Sequence, residues 1–168
     1  MPCNCKKPLP EYPSTYHWGP PLWSLLHSLS VRVGTYSAPN YANDEKYIWM
    51  QLFPLIPSII PCADCRDHVK AWMTAHPLTD WPLLEPSARR DWLTTYFYDL
   101  HEDVNCRLGK PSFDKSRLSE VYSSLPFREI LKQLKPFMDI AIRHSGITLL
   151  PWQRITTHML HLLSIYGM

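Results

Sequence analysis

The stretch PLWSLLHSLSVRV, residues 21–33, places Leu22, Leu25, Leu26, Leu29 and Val33 at i, i+3, i+4, i+7 and i+11. That spacing returns apolar side chains to one face of a 3.6-residue helix and does not fit the two-residue period of a half-buried strand. The same pattern continues downstream. Asn43 and Asp44 can cap a second helix with Ile48, Leu52 and Ile56 on one face, closed by Pro57 and Pro61. Cys62 then opens a third helix that runs to about Ala75, with Cys65, Val69, Trp72 and Met73 facing inward. After the loop HPLTDWPLLEP, Ser87 can cap a long fourth helix through Leu108, stopped by Gly109 and Pro111. Asp114 caps a short fifth helix carrying Leu118, Val121, Tyr122 and Leu125. No segment alternates like a strand, and no repeat or low-complexity tract appears. The expected fold is all-α, a four-helix bundle with a short fifth helix.

Two flanks remain. Residues 1–16 carry four prolines and two lysines with little that is apolar, which predicts a mobile arm. Beyond Pro126, Phe127, Ile130, Leu131 and Leu134 resume helical spacing, followed by GITLLPWQ and HMLHLLSIYGM. One or two more helices are expected there, covering the core or forming an oligomer interface. The division is therefore an arm at 1–16, a bundle at 17–125 and a C-terminal helical extension at 126–168.

Composition narrows the function. At 168 residues with 45% hydrophobic and 19% charged residues, the chain reads as one globular domain with a real core. A net charge of +2 is too small to indicate nucleic acid or an anionic membrane as partner. No apolar run approaches the roughly 20 residues of a membrane span. The amino terminus, MPCNCKKPLPEYP, has no apolar segment after its lysines and so does not read as a signal peptide. A soluble protein that starts in a reducing compartment is expected. Seven tryptophans and nine tyrosines offer flat surfaces for a planar ligand, although most should be core.

In that setting the five cysteines matter. They fall as Cys3 and Cys5, Cys62 and Cys65, and a lone Cys106, which is not the framework of a secreted mini-protein. A cysteine at a helix start meets unpaired amides that stabilise a thiolate, and a partner one turn later can close and reopen a disulfide. From the residues alone, Cys62 and Cys65 can be a redox disulfide, a zinc-ligand pair or packed thiols. His101 and Asn105 share a face of the fourth helix with Leu108, Trp23 and His27 share one on the first, and His68 lies one turn after Cys65. A single histidine on an apolar face is usually only a hydrogen-bonded core residue. Together these side chains can line a slot for a flat, polar-edged ligand, with Lys110 in reach of a phosphate.

WGPPLWSLLHSL at 18–29, PCADCRDHV at 61–69 and HEDVNCRLGKPSFD at 101–114 together resemble the FAD-linked sulfhydryl oxidases of the ALR/Erv type. Order and spacing agree over about residues 17–123. Gly19 and Pro20, without an arginine, are more similar to the viral members, which implies the cytoplasm of an infected cell or the virion. The resemblance implies a bundle holding FAD, with the fifth helix at the adenine end. It implies that Cys65 is the flavin-proximal cysteine and Cys62 the solvent-facing interchange cysteine. Gly19, Trp23, His27, His101, Val104, Asn105, Leu108, Lys110 and Phe113 match cofactor-gripping positions, and Tyr122 stands where a tryptophan is frequent. His68 matches only some members. Three departures stand out. Glu102 replaces the usual asparagine. Asp99 and Lys115 stand where cysteines commonly staple the fifth helix. A tyrosine expected soon after His27 is displaced, leaving Tyr36 as a poor substitute.

The implied reaction oxidises a protein dithiol or a thioredoxin-like CxxC protein, passes electrons through Cys62–Cys65 to FAD, and uses O2 to give H2O2. Members often carry a second cysteine pair in an arm, which implies a shuttle for Cys3 and Cys5. A homodimer is expected. The rival reading is a zinc-binding structural or interaction module drawing on Cys3, Cys5, Cys62 and Cys65. A CxC pair suits one tetrahedral site poorly, and zinc leaves the fourth-helix motif unexplained. No metal site is therefore assigned. A thioredoxin-like reductase would need βαβ patterning, which the chain lacks.

Overall fold

A computed structural model describes residues 11–168, so Cys3 and Cys5 lie outside the described residues. Seven α-helices follow in order: α1 Thr15–Ser30, α2 Ala42–Leu52, α3 Ala63–Ala75, α4 Pro86–Arg107, α5 Leu118–Tyr122, α6 Phe127–Arg143 and α7 Leu149–Ile165. Among the described residues there is no strand.

The leucine stripe of α1 is the centre of the core. Leu22, Leu25, Leu26 and Leu29 are at most 4% exposed. The helix packs against α4, α5, α6 and α7. It begins at Thr15 rather than Pro21, so Pro20 and Pro21 lie inside it. Each proline removes an intrahelical hydrogen bond and would weaken an isolated helix by about 3 kcal/mol. Burial of Trp18, Leu22, Leu25, Leu26 and Leu29 along the helix offsets that loss. At the helix start, Ser14 N–H donates to His17 Nδ1 at 3.2 Å. Residues just before α1 are seated as well: Pro13 is buried, and the Tyr12 hydroxyl donates to the Pro61 carbonyl at 2.8 Å.

A second difference falls in α2, which ends at Leu52 instead of continuing to Ile56. Pro54 and Pro57 cannot donate, and the chain tightens into 3-10 turns at Phe53–Leu55 and Pro57–Ile59. Ile56 still reaches the core. At the start of α4 the helix begins at Pro86, with Glu85 rather than Ser87 in the capping place. α3 ends at Ala75 as expected, whereas α1 ends at Ser30, short of Val33, and α5 at Tyr122, short of Leu125. Gly109 takes the left-handed conformation (φ 64°) after α4, and Asp114 accepts from Ser116 N–H at 2.9 Å ahead of α5.

Residues 126–168 form two helices. Leu134, Met138 and Ala141 of α6 join Trp152, Ile155, Met159 and Leu162 of α7 in the same apolar cluster as the α1 leucines. The C-terminal pair thus covers α1 and α2 in a continuous core. Their connecting turn is tight: Ser145 takes a left-handed φ of 61°, and Gly146 N–H closes on the Ala141 carbonyl at 2.9 Å. Gly146 leaves room for a different neighbour: a Cβ there would lie 1.8 Å from the Tyr12 hydroxyl.

Candidate active site

The chemistry begins at the start of α3. Cys62 is the N-cap, with extended backbone at φ −78° and ψ 121°, and its sulfur accepts the Cys65 N–H at 3.2 Å. Its sulfur is also bonded to that of Cys65, across a Cα–Cα distance of 5.2 Å. The pair needed by the zinc reading is therefore joined in a disulfide. Both residues are half-buried. When the bond opens, the sulfurs lie beside the unpaired first-turn amides, an environment that favours a thiolate and eases exchange.

A cavity of about 520 Å³ lies between α1, α3 and α4, with Tyr122 of α5 on its wall. Both cysteines and His68 line it from α3, and Gly19 and Trp23 from α1. From α4 and the turn that follows come His101, Val104, Asn105, Leu108 and Lys110. Of the described residues expected at the site, only His27 and Phe113 are not on the wall. His27 stands behind it, 1% exposed.

The polar end is a stack. Trp23 and His101 lie face to face at 4.2 Å with planes 8° apart, and His27 stacks on Tyr122 at 4.7 Å. His27 Nε2 and His101 Nδ1 share a hydrogen bond of 2.9 Å. Burial, reinforced by the neighbouring ring, lowers the His27 pKa to about 3. Burial likewise lowers that of His101 to about 4. Both rings are thus neutral near pH 7, each with one N–H, and one of those protons lies in the bond between them. His101 keeps its second nitrogen for the cavity.

Several neighbours of these residues were given no role at the site by the sequence. Glu102, one of the departures, is the brace of the α4 end: its Oε1 accepts Asn105 Nδ2–H and Phe113 N–H, each at 3.1 Å. Partial burial would raise its pKa, but these bonds and one from Ser112 hold it below the usual carboxylate value. The tie at α5, where Asp99 and Lys115 stand in place of cysteines, is made otherwise. Tyr98 donates to the Phe113 carbonyl at 3.0 Å, and Lys115 lies 5.3 Å from the Tyr98 ring centroid. Asp103 places Oδ2 2.7 Å from His68 Nε2, joining α4 to α3. Trp18 lines the cavity with a buried Nε1–H that has no protein partner. Its spacing from Leu22 would have revealed it had α1 been started at Thr15. Arg107 also lines the wall. Tyr36 is not on it; it packs near Glu45 instead.

These features suit a flat, polar-edged, anionic ligand. The aromatic and imidazole faces can take planar rings, the orphaned Trp18 N–H can donate, and Arg107 and Lys110 supply positive charge. Fold and site together define a helical bundle that sets a CxxC disulfide on the wall of a planar-ligand pocket. A model of the Erv1 / Alr family matches residues 20–123, and the chain belongs to that family. A protein of Invertebrate iridescent virus 6 named as an FAD-linked sulfhydryl oxidase is 28% identical over 99 residues, 59% of this chain and 86% of that one. Its namesake from Invertebrate iridescent virus 3 is 30% identical over 110 residues, 66% of this chain and 68% of that one. The mitochondrial FAD-linked sulfhydryl oxidase erv1 of Schizosaccharomyces pombe is 26% identical over 119 residues, 69% of this chain and 59% of that one. No solved structure gives a match of comparable significance. Among the described residues no helix is long and apolar enough to cross a membrane.

Proposed function

We propose that this chain is an FAD-linked thiol oxidase that makes disulfides in protein dithiols. The observation that carries the reading is the Cys62–Cys65 disulfide on the wall of the same cavity as the Trp23–His101 stack. FAD, when bound, supplies two-electron chemistry between thiols and an acceptor. Trp23, His101 and Tyr122 are assigned to its flat rings, with His27 fixing the His101 tautomer from behind. Gly19, His68, Val104, Asn105 and Leu108 complete the walls, Phe113 holds the loop after α4, and Lys110 with Arg107 faces the phosphates.

Cys62 receives the substrate. An incoming thiolate bonds to its sulfur as the Cys62–Cys65 bond breaks, and Cys65 leaves as a thiolate held by the α3 amides. The second substrate thiolate then displaces Cys62. The substrate loses two electrons and gains a disulfide, while the pair gains two electrons. We assign O2 as final acceptor with H2O2 as product, a homodimer as the working form, and a thioredoxin-like CxxC protein as a further electron donor. The cytoplasm of an infected cell and the virion are the assigned locations, since two relatives belong to iridescent viruses. Cys3 and Cys5 are assigned as a shuttle to Cys62. The Tyr12–Pro61 hydrogen bond supports this, because the chain joins the fold one residue from Cys62.

The test is direct. The purified protein should be yellow with a flavin spectrum and consume O2 with dithiothreitol. Cys65→Ser should keep the colour and lose turnover by at least a hundredfold. A colourless protein, or full turnover in the variant, would refute the assignment.

A further inference from the structure

Arg66 has no part in the chemistry so far, yet it lies one helical turn below Cys62. Its backbone N–H makes the first hydrogen bond of α3, to the Cys62 carbonyl at 2.9 Å. Its side chain does not extend into solvent. The guanidinium turns back along the helix start, where Nε donates to the Ile60 carbonyl at 3.1 Å and Nη2 approaches the Pro61 carbonyl at 3.5 Å. Nη2 also donates to the Gly146 carbonyl at 2.5 Å, in the turn between α6 and α7. That turn is fixed in place by Tyr12, which fills the space where a Gly146 side chain would be and bonds Pro61. Three carbonyls from two segments thus hold one permanent positive charge against the residues that immediately precede Cys62.

We infer that Arg66, clamped by the Gly146 carbonyl, is a positioning residue that sets the thiolate reactivity of Cys62, so the C-terminal helices serve the redox centre. The inference rests on Cys62 being the interchange cysteine. In the second exchange the bond between substrate sulfur and Cys62 breaks and the Cys62 sulfur takes the electron pair. A lower Cys62 pKa makes it a better leaving group. The thiol protons go to water or to the reduced pair. Other charges share the cavity with that sulfur: Asp64 of α3 opposes Arg66, and Arg107 of α4 and Lys110 of the turn after it add positive charge to the wall. His144, at the end of α6, packs edge-on against Tyr12. Of the positive groups, only Arg66 is bonded to the two residues just before Cys62.

With the charge held against the two residues that precede Cys62, loss of the guanidinium should change the thiolate equilibrium by up to about tenfold. The experiment uses the full chain with Cys65→Ser and follows iodoacetamide labelling of Cys62 against pH by mass spectrometry. Equilibration of the unsubstituted pair with glutathione gives its reduction potential. Arg66→Gln should move the labelling midpoint up by about one pH unit and make the pair harder to reduce. Arg66→Lys should recover roughly half of the shift. Gly146→Ala, which forces the turn or Tyr12 to move, should shift the midpoint in the same direction by less. Combined with Arg66→Gln it should add nothing. Helical circular dichroism identifies any variant that fails to fold, and Arg66→Lys keeps the charge in that event. An unchanged midpoint in Arg66→Gln would overturn the inference, and additive shifts would overturn the clamp. The underlying reading is checked separately: glutathione should form its mixed disulfide on Cys62, and its appearance on Cys65 would overturn the interchange role itself.

Discussion

Acid should weaken this fold through two histidines, and His27→Phe isolates the effect. In the unfolded chain both histidines titrate near 6.5, whereas in the fold burial lowers His27 to about 3 and His101 to about 4. A depressed folded value means the unfolded state takes up the proton first. The contribution is therefore complete above pH 6.5 and is lost as the pH falls toward 4 and then 3. At pH 5 the loss is about 2 kcal/mol for His27 and somewhat less for the partly exposed His101, roughly 3 kcal/mol together. Phenylalanine can keep the contacts with Trp23 and Tyr122 but forfeits the 2.9 Å bond to His101, about 1 kcal/mol at pH 7.5. Urea unfolding of both proteins from pH 7.5 to 4.5 should give stability curves that cross near pH 6. Below the crossing the variant should be the more stable. Curves that stay parallel over the whole range would show that His27 is not held neutral by burial, and the tautomer role assigned to it would fall.

Glu102→Ala should lower stability by about 1–2 kcal/mol, because Asn105 Nδ2 and Phe113 N–H lose one acceptor. It should also speed flavin release on gel filtration, while Glu102→Gln, which keeps an oxygen there, should restore both. Truncation after Leu125 should give an aggregated protein without flavin. It removes Leu134, Met138, Trp152, Ile155, Met159 and Leu162 from the core, whose burial at about 1.5–3 kcal/mol each approaches the whole stability of a domain. A monodisperse, yellow truncated protein in sedimentation would show that residues 17–125 stand alone.

The bundle was legible because its signals are local. Leu22 to Val33 declare their face by spacing alone, and Gly109 with Pro111 marks the end of α4 without help from elsewhere. The start of α1 was not legible, since Pro20 and Pro21 carry a strong local preference that only burial along the helix overrides. At the site, Cys62, Cys65, His101 and Asn105 could be named from motifs that lie within single helices. What could not be read was contact between segments distant in sequence. The clasp of Arg66 on Gly146 spans 80 positions, and the position of His27 behind His101 rather than on the cavity wall depends on how α1 packs against α4. The brace made by Glu102 reaches only to Phe113, yet it was hidden because the loop's path after Gly109 decides whether a carboxylate finds two donors.

The tie between α4 and the segment leading to α5 has a further meaning. It is made by the Tyr98 hydroxyl, the Lys115 ammonium and the Glu102 carboxylate, none of which changes when thiols are added. Among the described residues, the only disulfide is Cys62–Cys65, the pair we assign to open at every turnover. Apart from that pair, the described scaffold carries no cross-link that its own electrons could cut. A strongly reducing milieu can empty the pair of its oxidising equivalents while leaving the architecture around it intact. Such a chain can reach its final shape before any oxidant has acted on it.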